Sequence, residues 1–184
     1  MQHSSNNLFD NLFDEDDDEL TEYQRITKRN TPEQLLASIP IIYEYATGGE
    51  MQSIYGNMDY NTGYVGWANI VKGLNGKLTD TNKRARIKDF DIDLDIRYLA
   101  RLWIEQQGLC AITGVEMQFQ AGSLTQKNPY NLSIDRIYNS RGYVKGNVQL
   151  ITHWANNAKS TWDESVLKEM ITHSARKLVA QHSI

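Results

Sequence analysis

Residues 132–159 read LSIDRIYNSRGYVKGNVQLITHWANNAK, and this stretch decides the fold that we expect for the chain. Two short apolar runs, one around Ile134 and one ending at Ile151, flank a segment rich in turn-forming residues, which predicts two antiparallel strands. Gly142 is the residue expected to take a positive φ in the turn. Thr152 can then cap a short helix. The stretch therefore predicts a β-hairpin packed on a helix.

This arrangement would bring three polar side chains together. Asp135 lies in the first strand, and His153 and Asn156 are three residues apart on one face of the helix. A carboxylate, an imidazole and an amide form a plausible site for a hard divalent metal. A histidine at a helix start is, however, more often a surface residue or one with satisfied hydrogen bonds than a catalyst.

The composition is typical of a soluble globular domain with tails. The chain has 184 residues, of which 40% are hydrophobic and 23% charged. No apolar run approaches the roughly 18 residues that span a bilayer, and the polar N-terminus does not resemble a secretory signal. The single cysteine, Cys110, excludes an intramolecular disulfide framework and fits a reducing cytoplasm. We therefore expect a cytoplasmic protein with no membrane partner.

The net charge of −4 conceals an asymmetry between tail and body. Residues 1–22 hold eight acidic residues and no Lys or Arg, which leaves 19 basic against 15 acidic residues in the remainder. A mildly basic body suits a protein that binds a polyanion such as DNA.

Residues 1–30 are expected to form an acidic, solvated tail. A doubled Leu-Phe-Asp unit lies within it, in the segment from Leu8 to Asp14. Two alternatives remain open beside the solvated tail. The segment Leu8–Phe13 could dock on a protein partner, or the acidic run could cover a basic site by imitating a nucleic-acid backbone.

Helix signals precede the hairpin. Thr31 to Gln34 resembles a capping box, and Pro40 is expected to end or bend the helix that follows. A second helix is expected from Trp67 to Leu74, stopped by the glycines and asparagine at 73–76.

A third helix is expected after Thr79, and it carries the densest basic cluster in the chain. A solvated helix face and a set of phosphate contacts are about equally good interpretations of this cluster. We name it the basic cluster, and its members are Lys83, Arg84, Arg86 and Lys88.

Further helices are expected on both sides of the hairpin. Asp93 or Asp95 can cap a helix over about 96–107 that Gly108 ends, with Leu99, Leu102 and Trp103 on its core side. The aspartates at 89–95 lack the glycine and final glutamate of an EF-hand loop, so capping and solvation explain them better than calcium. Thr161 to Glu164 resembles another capping box, before a C-terminal helix expected to pack on the core.

Taken together, several spaced motifs resemble the HNH endonuclease family, in particular its small members common in bacteriophages and prophages. The similarity covers about residues 67–160. The motifs that carry it are Leu102-Trp103, Gln107-Gly108-x-Cys110, Thr113-Gly114, Ser133-x-Asp135-Arg136-Ile137, Gly142-Tyr143, Gly146-Asn147-Val148-Gln149 and Asn156-x-x-Lys159.

The resemblance implies an α+β fold, mainly helical, around a ββα-metal unit. Together with the charge and helix signals, it gives four expected parts of the chain: a tail (1–30), an N-terminal helical and loop extension (31–66), a nuclease-like domain (67–160) and a C-terminal packing helix (161–184). It implies hydrolysis of DNA phosphodiester bonds with one Mg²⁺ or Mn²⁺. The paired zinc-binding cysteines of the family are missing, so no structural zinc is expected.

The resemblance also assigns roles to single residues. Asp135 and Asn156 are the expected metal ligands, and Asn147 is expected to help position the catalytic base. Lys145 and Lys159 are either plain surface charges or phosphate contacts. Their position beside Asp135 and Asn156 favours phosphate contacts, because a nucleic-acid backbone must reach the metal.

The departure from the family lies at Arg136, where the family has its general-base histidine. A guanidinium stays protonated and cannot accept a proton from water, although it can hold a phosphate. Either His153 or a metal-bound hydroxide replaces the base, or the domain binds DNA without cutting it. The sequence leaves these alternatives open.

Overall fold

The structure is a computed structural model that describes residues 20–28, 30–47, 64–119 and 128–181. These residues form a mainly helical α+β fold with one two-stranded antiparallel sheet. The chain divides into two compact units, Met1–Ala68 and Asn69–Ile184. The elements are α1 (Glu22–Thr27), α2 (Pro32–Thr47), α3 (Tyr64–Lys88), α4 (Ile96–Glu105), β1 (Leu132–Arg136), β2 (Val148–Thr152), α5 (His153–Lys159) and α6 (Glu164–Gln181). The tail and its Leu8–Phe13 segment lie outside the described residues.

In the first unit, the capping box expected at the start of α2 is confirmed. The backbone N–H of Thr31 donates to Gln34 Oε1 at 2.8 Å, and that of Gln34 donates to Thr31 Oγ1 at 3.3 Å. Of the two alternatives for Pro40, the end of the helix is wrong, because α2 continues to Thr47, and the bend stays a prediction. A proline removes one backbone hydrogen bond, and burial of apolar side chains such as Leu35 stabilises the helix against that loss.

The helix α3 is continuous where the sequence predicted two helices. Two glycines in a helix interior cost about 1 kcal/mol each, and burial of residues such as Leu74 and Leu78 offsets that cost. Gly73 is needed for close packing, since a Cβ there would lie 2.1 Å from Cδ1 of Phe119. The glycine signal therefore marked a contact and not a helix end.

The hairpin forms as the sequence predicted. Its strands pair from Leu132 opposite Thr152 to Arg136 opposite Val148, and residues 137–147 form the connecting loop. The role expected of Gly142 is wrong, because the positive φ falls at Gly146 (82°). Gly142 instead allows close backbone packing, since a Cβ there would lie 2.2 Å from the carbonyl oxygen of Asp91.

The hairpin is fastened to the preceding segment by Gln106. Its Oε1 accepts from Leu150 N–H at 3.0 Å, and its Nε2 donates to the carbonyls of Leu150 (2.7 Å) and Leu109 (2.9 Å). Buried Cys110 accepts from Thr152 N–H at 3.4 Å on the same side. Burial raises the pKa of the Cys110 thiol, but hydrogen bonds from Thr113, Thr152 and Ile112 outweigh it, so the pKa is lowered overall. The side chains of Gln106 and Cys110 thus join β2 to the segment that follows α4.

The helix α4 lies close to its predicted position. Asp95 caps it by accepting from Tyr98 N–H at 2.8 Å. Leu99 and Trp103 are buried and Leu102 is half-buried, and Gly108 follows with a φ of 71°.

The predictions for the C-terminal helix are wrong in two respects. The helix α6 begins at Glu164, so its N-cap position is Asp163 and not Thr161, and the side chain of Glu164 bonds Gln149 and Lys168. Only Leu167 of this helix is buried among the described residues, because the helix extends beyond the elements on which it packs. Within the described ranges, no helix is long and apolar enough to cross a membrane.

Candidate metal and nucleic-acid site

The centre of the hairpin–helix unit is a buried ion pair. Lys159 Nζ donates to both carboxylate oxygens of Asp135, at 3.0 and 2.9 Å, and to the carbonyl of Arg136 at 2.6 Å. Asp135 is 5% exposed and Lys159 is 0% exposed. All three ammonium protons have acceptors, which is the condition under which a buried charge is tolerated. Lys159 is therefore not a surface charge.

A hydrogen-bonded chain leads from this pair to α6. Gln149 Nε2 donates to Asp135 Oδ2 at 3.1 Å and to Glu164 Oε2 at 2.6 Å. Glu164 also pairs with Lys168. Burial raises the pKa of Glu164, but the hydrogen bonds from Lys168 and Gln149 and the charges of Lys168 and Lys159 outweigh it and lower the pKa. This hydrogen-bonded network thus contains two carboxylates and two ammonium groups, and their charges balance.

Every third residue of α5 contacts every second residue of the segment that leads into and forms β1. His153 N–H donates to the carbonyl of Asn131 at 2.6 Å, Asn156 Nδ2 donates to Ser133 Oγ at 2.7 Å, and Lys159 bonds Asp135. Asn156 and Asp135 consequently face the same interface. His153 lies about 9 Å along the helix from Lys159, because each residue rises about 1.5 Å.

The structure therefore does not bring His153 to Asp135. The ring Nε2 of His153 lies 3.1 Å from Asn157 Nδ2, one turn along α5. The cradle of Asp135, His153 and Asn156 expected from the sequence is thus reduced to Asp135 and Asn156, and Lys159 joins them.

Arg136 holds the connecting loop. Its Nη1 donates to the carbonyls of Asn139 and Arg141, at 3.0 and 3.1 Å. Its guanidinium carbon lies 4.0 Å from the ring centroid of Phe90 and 5.2 Å from that of Tyr143. These are charge-assisted and cation–π contacts, so the side chain is committed to the fold.

Asn147 holds the same loop from the other end. Its Oδ1 accepts from Tyr138 N–H at 3.1 Å, and its Nδ2 donates to the carbonyls of Tyr138 and Gly142 at 3.2 and 2.9 Å. All three of these hydrogen bonds are made with backbone groups of the loop. The asparagine thus fixes the segment that follows Arg136.

The segment before α4 anchors the loop from outside. Tyr143 N–H donates to the carbonyl of Asp91 at 2.7 Å, and Lys145 N–H donates to Asp93 Oδ1 at 2.7 Å. Lys145 Nζ lies 2.5 Å from Asp95 Oδ2. A hydrogen bond and the charge of Lys145 lower the pKa of Asp95, and the same contact raises the pKa of Lys145. Three of the four aspartates therefore contact the loop, one through its carbonyl and two through their side chains, and Asp95 is also the expected cap.

The predicted phosphate contacts lie in different settings. Lys145 is exposed beside Asp95, whereas Lys159 is buried. All four members of the basic cluster are exposed at the C-terminal end of α3, where positive charge also favours the helix dipole.

The oxygen atoms of Asp135 and Asn156 are of the type that binds a divalent cation, but Asp135 is paired with Lys159. Asp135 and Asn156 offer the carboxylate and amide oxygens that Mg²⁺ and Mn²⁺ prefer. However, the Lys159 ammonium already neutralises both oxygens of Asp135. Within the described part of the chain, no group of three His, Cys, Asp or Glu residues is arranged to hold a metal. A cation could use Asp135 only after the ammonium withdrew.

Two contributors to the site escaped the sequence analysis. Gln149 lies opposite Asp135 in the hairpin register, so the pairing itself was a usable signal. Glu164 comes from the next helix, and no spacing in the sequence points from it to the hairpin.

Comparison of the chain with protein-family models, curated proteins and solved structures found no match. The resemblance to the HNH family rests on the residues that carry it.

Proposed function

We propose that the chain is a DNA endonuclease of the HNH type, active in the cytoplasm of a bacterial or phage-infected cell, and that β1, β2 and α5 form its ββα-metal unit. The observation that supports the proposal is the step-by-step contact of α5 with β1. It gathers Asp135, Asn156 and Lys159 at one interface. These residues are the ligand positions and the Asn-x-x-Lys lysine that the resemblance assigns.

In this proposal, Asp135 and Asn156 are the residues that would hold Mg²⁺ or Mn²⁺, in exchange for the contact of Asp135 with Lys159. Bound there, the cation would supply charge stabilisation at the phosphate and a more acidic attacking water. The exposed basic cluster contributes positive charge for the DNA backbone, whereas Lys159 is buried and has no access to it.

Arg136 has no part as a base, because a guanidinium stays protonated and this one is bonded to two carbonyls. His153 is turned to Asn157. General-base catalysis contributes typically 10²–10⁴-fold, so we expect cleavage to be slow compared with an enzyme that has the histidine.

A second candidate is a DNA-binding protein of the same fold that does not cut. The observation that favours it is the complete neutralisation of Asp135 by Lys159. A carboxylate that already has its counter-charge gains less from a metal.

The deciding experiment incubates supercoiled plasmid with the full chain and Mg²⁺, Mn²⁺ or EDTA. The matched variants are Asp135→Asn, which keeps the shape of the side chain, and Asp163→Asn, an exposed control. Nicking that needs metal and is lost only in Asp135→Asn would support the endonuclease.

Binding of the plasmid by gel shift, with no cleavage under any metal condition, would favour the second candidate. Absence of both binding and cleavage would reject the two candidates together. Circular dichroism of Asp135→Asn separates loss of chemistry from loss of fold.

A further inference from the structure

A cavity of about 340 Å³ lies at the end of the hairpin remote from Arg136. Two aromatic residues, Tyr130 and Trp154, border it, and they are 50% and 49% exposed. Pro129 and Val115 add apolar wall, and Thr113 and Thr152 complete the lining. The hydroxyl of Thr152 is already used, because it accepts from Ala155 N–H and donates to Cys110 Sγ. Small-ligand sites typically have this character, being mostly apolar with a few placed polar groups.

The walls of the cavity are fixed by backbone contacts. Trp154 N–H donates to the carbonyl of Pro129 at 2.9 Å, which joins α5 to the segment before β1. Tyr130 N–H donates to Asn128 Oδ1 at 2.9 Å, and the carbonyl of Tyr130 accepts from Gln118 N–H at 2.9 Å. Both aromatic residues therefore stand on backbone that is already ordered, which lowers the entropic cost of binding.

The chemistry of the cavity favours a flat ring with polar edges. The two exposed aromatic side chains carry this preference, because aromatic faces bind such a ring by stacking. Nucleobases have this form, and proteins that hold single-stranded DNA stack the bases on exposed aromatic side chains.

The position of the cavity connects it to the proposed cleavage site. Thr152 pairs with Leu132, three residues before Asp135 on β1. At about 3.4 Å per residue, the cavity lies roughly 10 Å along the hairpin from Asp135. A DNA strand with one phosphate at Asp135 can therefore place the base of a neighbouring nucleotide in the cavity.

We propose that this cavity holds one unstacked nucleobase of a single-stranded or locally opened DNA, next to the nucleotide at the hairpin site. The inference rests on the proposed DNA-directed function. It adds a preference for DNA in which a base is free to leave the stack.

The test compares Trp154→Ala with Trp162→Ala in the full chain. Trp162 is a matched control, because it is 62% exposed and does not border the cavity. The probes are a fluorescently labelled mixed-sequence single strand, the same strand with one abasic nucleotide at successive positions, and the matching duplex. Affinity is measured by fluorescence anisotropy at fixed salt.

We expect Trp154→Ala to weaken single-strand binding about 5- to 100-fold, the worth of one base–aromatic stack, and Trp154→Phe to retain most of the affinity. Duplex binding and the Trp162→Ala variant should change by no more than about twofold. One abasic position should weaken the wild-type protein and have no further effect on Trp154→Ala.

Equal single-strand affinities of Trp154→Ala and Trp162→Ala, in a protein that still binds DNA, would overturn the base site and leave the proposed function standing. Failure of the wild-type protein to bind either DNA would reject the proposed function, and the base site with it.

Discussion

Lys159 Nζ lies 3.0 and 2.9 Å from the two carboxylate oxygens of Asp135, and both residues are buried. The pair joins the first strand of the hairpin to the last turn of α5. It also occupies the carboxylate to which the resemblance assigns the metal. The same contact therefore bears on stability and on metal binding.

Removal of one partner should leave an uncompensated buried charge. We expect Lys159→Met to lower the free energy of unfolding by about 3–5 kcal/mol, the usual cost of breaking a buried pair from one side. The double variant Asp135→Asn/Lys159→Met should recover part of this loss, because neither buried charge remains. Urea denaturation followed by Trp fluorescence measures both. A double variant no more stable than Lys159→Met would show that charge pairing is not what the lysine contributes.

Arg136 should be needed for the fold of the connecting loop. Arg136→His loses two charge-assisted hydrogen bonds and the contacts with two rings, so we expect a loss of about 1–3 kcal/mol in unfolding free energy. Arg141→His is the control, since Arg141 is exposed on the same loop and has one ring contact. Plasmid nicking by Arg136→His is measured beside stability. Faster nicking in that variant would mean that the missing base limits the natural protein and that the loop tolerates the exchange.

The hairpin and its helix were predictable because their signals are local. Apolar runs, a turn segment and a Thr cap each depend on neighbours in sequence. The cap on Thr152 formed as expected, with Oγ1 accepting from Ala155 N–H at 3.3 Å. The helix end predicted at Gly73 is wrong because the reason for this glycine is not local. It is needed by Phe119, which is remote in sequence.

The site was predictable only in part. Asp135 and Asn156 fall on one interface because strand and helix periodicity place them there. Burial of Lys159 could not be foreseen, since lysines are almost always exposed and its three acceptors come from β1, more than twenty residues earlier in the chain. Glu164 reaches Gln149 through the packing of α6, which no local pattern encodes.

Two glycines should respond in opposite ways to alanine. A Cβ at Gly142 would lie 2.2 Å from a backbone oxygen of Asp91, which cannot move without disturbing the loop. We expect Gly142→Ala to lower the unfolding free energy by about 1–3 kcal/mol through overpacking. Gly76 lies inside α3 with nothing within 4 Å of an added Cβ, so Gly76→Ala should raise it by about 0.5–1 kcal/mol. Thermal denaturation of the two variants under identical conditions measures the contrast, and equal melting temperatures would contradict it.

Glu164 should make stability sensitive to acid. Burial raises its pKa, but Lys168, Gln149 and Lys159 together lower it below the ordinary value of 4.5. The folded state therefore favours the ionised form, and this contribution is present above pH 4.5 and is lost as the pH falls through the lower, folded pKa. Glu164→Gln should be less stable than the wild type at pH 7, and the two should converge at lower pH. A stability difference that stays constant from pH 7 into the acid range would contradict the assignment.

The basic cluster should set the salt dependence of DNA binding. Its four side chains are exposed at the end of α3, as phosphate contacts require. For duplex DNA, each phosphate contact that is removed should reduce the slope of log K against log salt by about 0.9. The double variant Arg84→Ala/Lys88→Ala removes two charges on one helical face, and it should reduce the slope by up to about 2. Arg176→Ala/Lys177→Ala removes two exposed charges from α6 and is the matched control. Equal slopes for the two double variants would show that the cluster is a solvated helix end.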